Sequence, residues 1–209
     1  MILYGFAPSS ASYRVRIALA LKNLLVTHVS KQLRLGEQRQ ADFLKLNPQG
    51  FVPALGLDDG RVLTQSIAII EYLEETYPEP RLLPSLPAER ALVRALCQLI
   101  ACDVHPLNNL RVLKYLEGPL GQDKTARDAW YRHWIEAGFE ALEQLLARTA
   151  GRHCFGDAPT MADVCLVPQV FNARRFDVDL SPFPRIVAID AACRELPAFA
   201  SAAPERQQS

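Results

Sequence analysis

The chain has 209 residues, 49% of them hydrophobic and 22% charged, which is typical of a globular protein with one large domain or two small ones. Its 23 lysines and arginines equal its 23 aspartates and glutamates, so we expect no bulk attraction to nucleic acid or to an anionic membrane. No apolar run is long enough to cross a bilayer. The N-terminus lacks a signal-peptide pattern, which makes the cytoplasm the expected compartment.

The cysteines give no indication of a metal centre. They are odd in number and form no Cys-x-x-Cys pair; the five are Cys97, Cys102, Cys154, Cys165 and Cys193. A disulfide framework or a zinc site needs paired or closely spaced ligands. We therefore expect reduced thiols, mostly buried as small hydrophobic side chains, and no metal site.

The first eighty residues alternate between strand and helix patterns. The predicted order is a strand over 2–5, a helix over 11–22, a strand over 25–30, a short helix over 39–46, a hairpin around Asp58-Asp59-Gly60 and a helix that Ser66 caps and Pro78 ends. A parallel βαβ unit followed by an antiparallel hairpin forms a small mixed sheet with helices on its faces. We place this α/β domain at residues 1–80.

Strand patterns disappear after a proline-rich linker. Helices are predicted over 89–116, 124–149 and 161–173, with a further helix after Pro184. Thr160 and Asp163 have the spacing of a capping box at the start of the third of these helices. We therefore expect a second, all-helical domain over 88–209.

Three serines lie where the first strand turns into the first helix. The stretch "PSSAS" places Ser9, Ser10 and Ser12 at a helix N-terminus, where N–H groups and the helix dipole favour an anion. The turn itself contains no cysteine or acid. Simple N-capping by serine is the alternative interpretation.

Five segments, in order along most of the chain, resemble the zeta class of the glutathione transferases. They are "SSASYRVRIALALK", "LNPQGFVPAL", "QSIAIIEYLEETYP", "HPLNNLRVLKYL" and "TMADVCLVPQVFNARRFDVDLSPFP". The resemblance implies a thioredoxin-like first domain and an all-helical second domain. Two residues depart from the class pattern, namely Ala11 where the signature has cysteine and Pro8 where relatives often have arginine.

The resemblance implies that glutathione supplies the thiolate that this turn lacks. We expect Ser9 to donate a hydrogen bond to that thiolate, supported by Ser10 and by the N–H groups around Ala11 and Ser12. Val52-Pro53 is expected to have a cis bond and to pair with the extended tripeptide through the backbone of Val52. Gln65-Ser66, at another helix N-terminus, suits the γ-glutamyl carboxylate.

Four further residues are predicted to lie near glutathione or the substrate. Gln38 is expected to approach the glycyl end of glutathione or to be a solvated loop residue. His105 and Asn108, beside a proline that kinks a helix, are candidates for the edge of glutathione or of the substrate, although a lone histidine is more often structural. Asp103 is expected to reach the ligand of a partner subunit in a homodimer.

Arg175 matches the arginine that the zeta class uses for a substrate carboxylate. Arg174 is the alternative, Arg111 is expected to add positive potential, and surface solvation is the plain interpretation of all three. The implied activity is glutathione-dependent cis–trans isomerisation of a small diketo acid, either maleylacetoacetate or maleylpyruvate, in aromatic-compound breakdown. The alternatives are a glutathione transferase that conjugates electrophiles such as α-halo acids and a non-catalytic binding protein on the same scaffold.

Overall fold

A computed structural model describes residues 1–207, so the last two residues of the predicted helical domain lie outside the described range. The described chain divides into two compact units. One comprises Met1–Leu82 together with the C-terminal segment that begins at Arg194, and the other comprises Leu83–Cys193. The C-terminal segment thus groups with the first unit, whereas the sequence assigned everything after residue 88 to the helical domain; the domain limits themselves remain a prediction.

The first unit contains a four-stranded mixed sheet with the strand order β2-β1-β3-β4. The strands are β1 (Ile2–Gly5), β2 (Thr27–Ser30), β3 (Ala54–Gly56) and β4 (Val62–Thr64). β1 pairs in parallel with β2 and antiparallel with β3, and β3 pairs antiparallel with β4. The predicted βαβ unit and hairpin are therefore confirmed.

Helices cover the sheet. They are α1 (Ser10–Leu21), α2 (Ala41–Leu46), α3 (Ser66–Thr76) and, from the C-terminal segment, α9 (Pro197–Ala202). α1 packs against both α3 and α9. On the other face, Tyr4 of β1 meets Phe43 of α2 edge-on, with 6.2 Å between ring centroids.

The second unit is helical. It contains α4 (Pro87–Gln98), a π-helical segment (Leu99–Val104), a 3-10 turn (His105–Asn108), α5 (Leu110–Glu117), α6 (Lys124–Thr149) and α7 (Met161–Arg175), and most of α8 (Pro184–Arg194). α6 approaches the π-helical segment closely, because a Cβ at Gly138 would clash with Val104. These features confirm the predicted fold class, a thioredoxin-like domain followed by helices.

The capping box predicted for α7 is present. The Oγ1 of Thr160 accepts a hydrogen bond from the N–H of Ala162, and the Oδ2 of Asp163 accepts one from the N–H of Thr160 at 2.7 Å. Asp163 is fully buried. None of the helices in residues 1–207 is long and apolar enough to span a membrane.

Candidate functional site

The three serines at the start of α1 have different surroundings. Ser9 is the N-cap, and its Oγ accepts a hydrogen bond from the N–H of Ser12 at 3.2 Å. Ser12 is fully buried, and its own Oγ accepts from the N–H of Phe6 at 3.3 Å. Ser10 is also buried, whereas Ser9 is half-buried. Ser9 therefore offers the hydroxyl that a ligand reaches most readily.

The start of α1 suits an anion. The N–H groups of a first helical turn have no carbonyl partners inside the helix, and together they carry a partial positive charge. The first turn of α1 contains no acidic residue. Ala11, in this turn, is 9% exposed and brings no thiol. The turn can therefore stabilise a thiolate, but the thiolate must come from a ligand.

The loop before β3 is held in a defined shape. The side-chain amide of Asn47 donates to the carbonyl of Phe51 at 2.8 Å, and its Oδ1 accepts from the N–H of Gln49 at 3.1 Å. The Val52-Pro53 bond that follows is cis, as the sequence predicted. Val52 belongs to the hydrophobic core that includes Phe43, so its side chain is fixed.

Gln65, immediately before α3, has an unusual backbone. Its φ is 70°, in a region that side-chain-bearing residues rarely adopt. Its side-chain amide donates to the Oε1 of Gln49 at 2.9 Å. Strained backbone of this kind persists where the surroundings enforce it, and it is frequent at ligand sites. The conformation supports the assignment of Gln65 and Ser66 to a binding site.

Arg14 is a residue that the sequence-based reasoning missed. It is 1% exposed, and its Nη1 donates to the Oγ of Ser66 at 3.3 Å. Its Nε and Nη2 have no hydrogen-bond partner within residues 1–207. A buried guanidinium without a carboxylate is costly unless an anion lies nearby. The signal in the sequence was the pair of cations, Arg14 and Arg16, within a helix that is largely apolar.

Gln38 lies in a 3-10 turn (Glu37–Arg39) and is 8% exposed. It is therefore not the solvated loop residue of the alternative interpretation. Its Oε1 is buried and lacks a partner in the described part of the chain. Its carbonyl also leaves no room for a side chain at Gly50, because a Cβ there would lie 2.9 Å away.

Arg175, at the end of α7, is framed by aromatic rings. Its guanidinium carbon lies 5.2 Å from the ring centroid of Phe176 and 5.8 Å from that of Phe171. Arg174 instead forms an ion pair of 2.6 Å with the buried carboxylate of Asp190. Arg175 is therefore the better candidate for a ligand carboxylate. Arg111 is exposed on α5.

Tyr131 of α6 connects two of the predicted residues. Its ring stacks on Phe176, with centroids 3.5 Å apart, and its backbone carbonyl accepts from the Nδ2 of Asn108 at 3.0 Å. Burial raises the pKa of Tyr131, and the charge and hydrogen bond of Arg175 oppose that effect. Sequence reasoning missed Tyr131, for which the only signal was the aromatic cluster "WYRHW".

The remaining candidates lie on the interrupted helix. Asn108 is buried and tied to α6 by the bond to Tyr131, so it positions the chain. His105 is half-buried in the 3-10 turn, and Asp103 is exposed in the π-helical segment. Within the second unit, the structure thus brings Asn108 and Arg175 to the same residue, Tyr131.

A buried cluster of three side chains, of types that can bind a metal ion, also lies at the start of α7. Its ligand atoms, from His153, Asp163 and Cys193, lie within 4.8 Å of one another. The Sγ of Cys193 lies 3.4 Å from the Nδ1 of His153 and 3.7 Å from the Oδ1 of Asp163. Burial raises the pKa of the Cys193 thiol, so the thiol stays protonated and donates to the carboxylate. The contacts form a hydrogen-bonded network that supports the capping box.

Comparisons with known proteins identify the family. The model of the glutathione S-transferase N-terminal domain matches residues 8–76, and that of the C-terminal domain matches residues 125–196. The chain is 53% identical to a probable maleylacetoacetate isomerase of Vibrio cholerae, over 99% of this chain and 97% of that protein.

Two solved structures are similar along the whole chain. A bacterial maleylpyruvate isomerase described as a zeta-class glutathione S-transferase has 51% identity and a TM-score of 0.97, covering 100% of this chain and 99% of that one. The maleylacetoacetate isomerase of Methylobacterium extorquens AM1, solved with bound malonate and glutathione, has 41% identity and a TM-score of 0.97, covering 100% and 98%. The chain therefore belongs to the zeta class of the glutathione S-transferase family.

Proposed function

We propose that this protein is a glutathione-dependent cis–trans isomerase that converts maleylacetoacetate to fumarylacetoacetate or maleylpyruvate to fumarylpyruvate. The observation that carries the proposal is the start of α1, where Ser9 caps the helix and Ala11 contributes no thiol. Such a site is built to hold the thiolate of a ligand. Full-length similarity to isomerases of both maleyl substrates supports the choice of reaction.

The energetics of thiolate formation are adequate without a protein base. A free thiol with a pKa of ~8.5 needs a fall of about two units, roughly 2.7 kcal/mol, to be mostly ionised at neutral pH. A helix N-terminus contributes up to ~2 kcal/mol. A hydrogen bond from Ser9 to a charged sulfur contributes ~1.5–3 kcal/mol. Ser10 and the first N–H groups of the helix, including those of Ala11 and Ser12, support the same charge.

The rest of glutathione extends along the first unit. The backbone of Val52, before the cis Pro53, pairs with the tripeptide in β-like fashion. The γ-glutamyl carboxylate lies at the start of α3, against Gln65 and Ser66, where Arg14 places a buried positive charge behind Ser66. Gln38 lies near the glycyl end. The proposed set of binding residues also includes Asp103, His105 and Asn108. Asn108 acts indirectly, because its hydrogen bond to the carbonyl of Tyr131 positions α6.

The reaction needs an addition, a rotation and an elimination. The glutathione thiolate adds to the cis double bond of the substrate, and the electron pair of that bond passes into the adjacent ketone as an enolate. The resulting carbon–carbon single bond rotates, the enolate collapses, and the thiolate leaves the trans product. Arg175 binds a substrate carboxylate, for which the planar guanidinium is well suited, and hydrogen-bond donors stabilise the enolate.

A transferase that conjugates small electrophiles, such as α-halo acids, is the second candidate. Pro8 favours it, because the resemblance places an arginine at this position in many relatives, and Pro8 brings no cation there for a second carboxylate. The same activated thiolate would then displace a halide and remain bonded to the product.

Side-by-side assays distinguish the candidates. Purified protein is incubated with glutathione and, in separate reactions, with maleylacetoacetate, maleylpyruvate and dichloroacetate. We expect fast loss of the maleyl chromophore with one of the first two substrates, and the faster one identifies the pathway. Glutathione conjugation of dichloroacetate at a higher rate than either isomerisation would favour the transferase, and no turnover of either maleyl substrate would reject the isomerase.

A homodimer in the cytoplasm is part of the same proposal. Its support is the family, together with five free cysteines of which four are buried, as expected in a reducing compartment. Light scattering on the purified protein tests the assembly, because a dimer has twice the 23.3 kDa mass of the chain.

A further inference from the structure

A groove of about 450 Å³ opens in the first unit beside the edge strand β2. Its floor is formed by Leu3 and Gly5 of β1 and by His28 and Ser30 of β2, which lie opposite each other in register. A Cβ at Gly5 would lie 3.4 Å from the Cβ and Oγ of Ser12, so α1 packs closely against the sheet at this end of the groove. None of the residues proposed to contact glutathione lines this groove.

Arg16 of α1 provides a buried cation in the wall of the groove. It is 6% exposed, and its Nε donates to the carbonyl of Ala202 at 2.9 Å. Its Nη2 donates to the carbonyl of Ala7 at 3.0 Å. Both acceptors are neutral, so the guanidinium is fixed in place while its charge is not neutralised. Burial lowers the pKa of Arg16 to about 10, against the opposing effects of Tyr13 and Glu205, and the side chain remains a cation at neutral pH.

Two exposed groups stand at the rim of the groove, His28 on β2 and Arg206 in the 3-10 turn that follows α9. Within residues 1–207, Arg16, His28 and Arg206 take part in none of the ion pairs. Burial and the charge of Arg16 lower the pKa of His28. The carboxylate of Glu205, which is exposed, raises the pKa of Arg16 against the larger effect of burial.

Three basic side chains of separate elements thus surround a space that is large enough for a small organic ion. The hydroxyl of Ser30 accepts from Gln32 and keeps its proton for donation. We propose that this groove is a second ligand site, which binds a small anion with several carboxylate or phosphate groups. Such a ligand would neutralise Arg16, accept charge-assisted hydrogen bonds from Arg206 and His28, and leave the start of α1 free.

Calorimetric titration tests the site. The protein is first saturated with S-methylglutathione, and citrate and inorganic phosphate are then titrated in separate arms at an ionic strength fixed with sodium chloride. The variants are Arg206→Gln and the double variant His28→Gln/Arg206→Gln. The matched control is Arg148→Gln, which removes the same charge from an exposed position on α6.

We expect at least one of the two anions to bind the unmodified protein and the Arg148→Gln control equally. Loss of one charge-assisted bond predicts about tenfold weaker binding by Arg206→Gln, and the double variant should bind more weakly still. Binding of citrate alone identifies a polycarboxylate ligand, and binding of phosphate alone identifies a phosphate ester. Isomerase activity should be the same in all variants, which separates this proposal from the proposed function.

Two results would overturn the proposal. One is that neither anion binds the unmodified protein. The other is equal affinity in the unmodified protein and in the double variant, which would place the anion elsewhere, including at the substrate site. Because His28 and Arg206 are exposed, the variants are expected to fold, and a thermal unfolding curve for each verifies this.

Discussion

Ser9 has two hydrogen-bonding roles that use different parts of the same hydroxyl. Its oxygen accepts from the N–H of Ser12 and caps α1, which leaves its proton for a ligand. Removing the hydroxyl therefore affects the stability of the helix and the charge state of bound glutathione together. Threonine retains the hydroxyl, so Ser9→Thr is the conservative control for both effects of removing it.

For Ser9→Ala we expect the pKa of bound glutathione to rise by about 1–2 units, from the loss of a charge-assisted bond of ~1.5–3 kcal/mol. The lost cap should also lower the free energy of unfolding by about 1 kcal/mol. Thiolate absorbance measured against pH in the complex reports the first effect, and urea unfolding reports the second. Ser9→Thr should keep both near the original values; an unchanged titration midpoint in Ser9→Ala would contradict the assignment.

Arg174 and Arg175 are neighbours with different partners, so they form a matched pair of variants. We expect Arg175→Gln to raise KM for the maleyl substrate about tenfold or more, since it removes a charge-assisted carboxylate contact. KM for glutathione should stay unchanged. Steady-state kinetics with each substrate varied in turn provides the measurement.

Arg174→Gln should instead lower stability, because the buried carboxylate of Asp190 loses its ion pair. The expected loss is about 1–2 kcal/mol, less than for a fully buried pair, since the Arg174 side chain is 40% exposed. A KM effect confined to Arg174→Gln would reverse the two assignments.

At the scale of elements, a buried ion pair joins the end of α1 to α3. The Nζ of Lys22 lies 2.8 Å from the Oε2 of Glu74 and also donates to the carbonyls of Tyr77 and Pro80. The same carboxylate oxygen accepts from the N–H of Leu82 at 3.0 Å. Lys22 thus fixes the chain where it leaves α3.

Breaking this pair from one side should cost ~3–5 kcal/mol in unfolding free energy, because the remaining charge stays buried without its partner. We expect this cost for Lys22→Met. The cost of Glu74→Gln should be smaller, since the side-chain amide still accepts a hydrogen bond. A double-mutant cycle uses the single variants Lys22→Met and Glu74→Leu, and the double variant Lys22→Met/Glu74→Leu should lose much less stability than the sum of those two. Additive losses would show that the two side chains act independently.

Local sequence signals were sufficient for most elements. The predicted helix over 124–149 coincides with α6, and the hairpin and the capping box were found where expected. The interruption before α5 was predicted at His105-Pro106, but the backbone departs from the α-helix at Leu99. Pro106 has no N–H to give to a carbonyl one turn earlier, so the preceding turns rearrange. That adjustment depends on packing against α6, which a local pattern does not contain.

Residues of the candidate site could be predicted from the sequence only where they belong to a local motif. Ser9, the cis Pro53 and Gln65 lie at predicted element boundaries. Arg14 and Tyr131 could not be assigned, because their importance arises from contacts with Ser66 and Phe176, which are distant in the sequence. The groove beside β2 likewise could not be predicted, because it forms only when the fold places Arg206 near β2.

At the scale of the whole molecule, the cysteines report on the folded state. Cys102 is exposed and the other four are buried. Since the thiolate is the reactive form, burial slows reaction both by blocking access and by raising the pKa of Cys154 and Cys193. We expect an aromatic disulfide reagent to modify one thiol rapidly in the native protein and five after unfolding in urea. Rapid modification of several native thiols would contradict the packing described above.

The source of the thiolate is the central claim, and one experiment tests it most directly. Loss of the maleyl chromophore is followed with glutathione, with S-methylglutathione, and with neither. We predict turnover with glutathione alone, because S-methylglutathione occupies the site without a thiolate and the turn offers Ala11 in place of a cysteine. Turnover that persists with S-methylglutathione or without any added thiol would show that the protein provides its own nucleophile and would contradict the account.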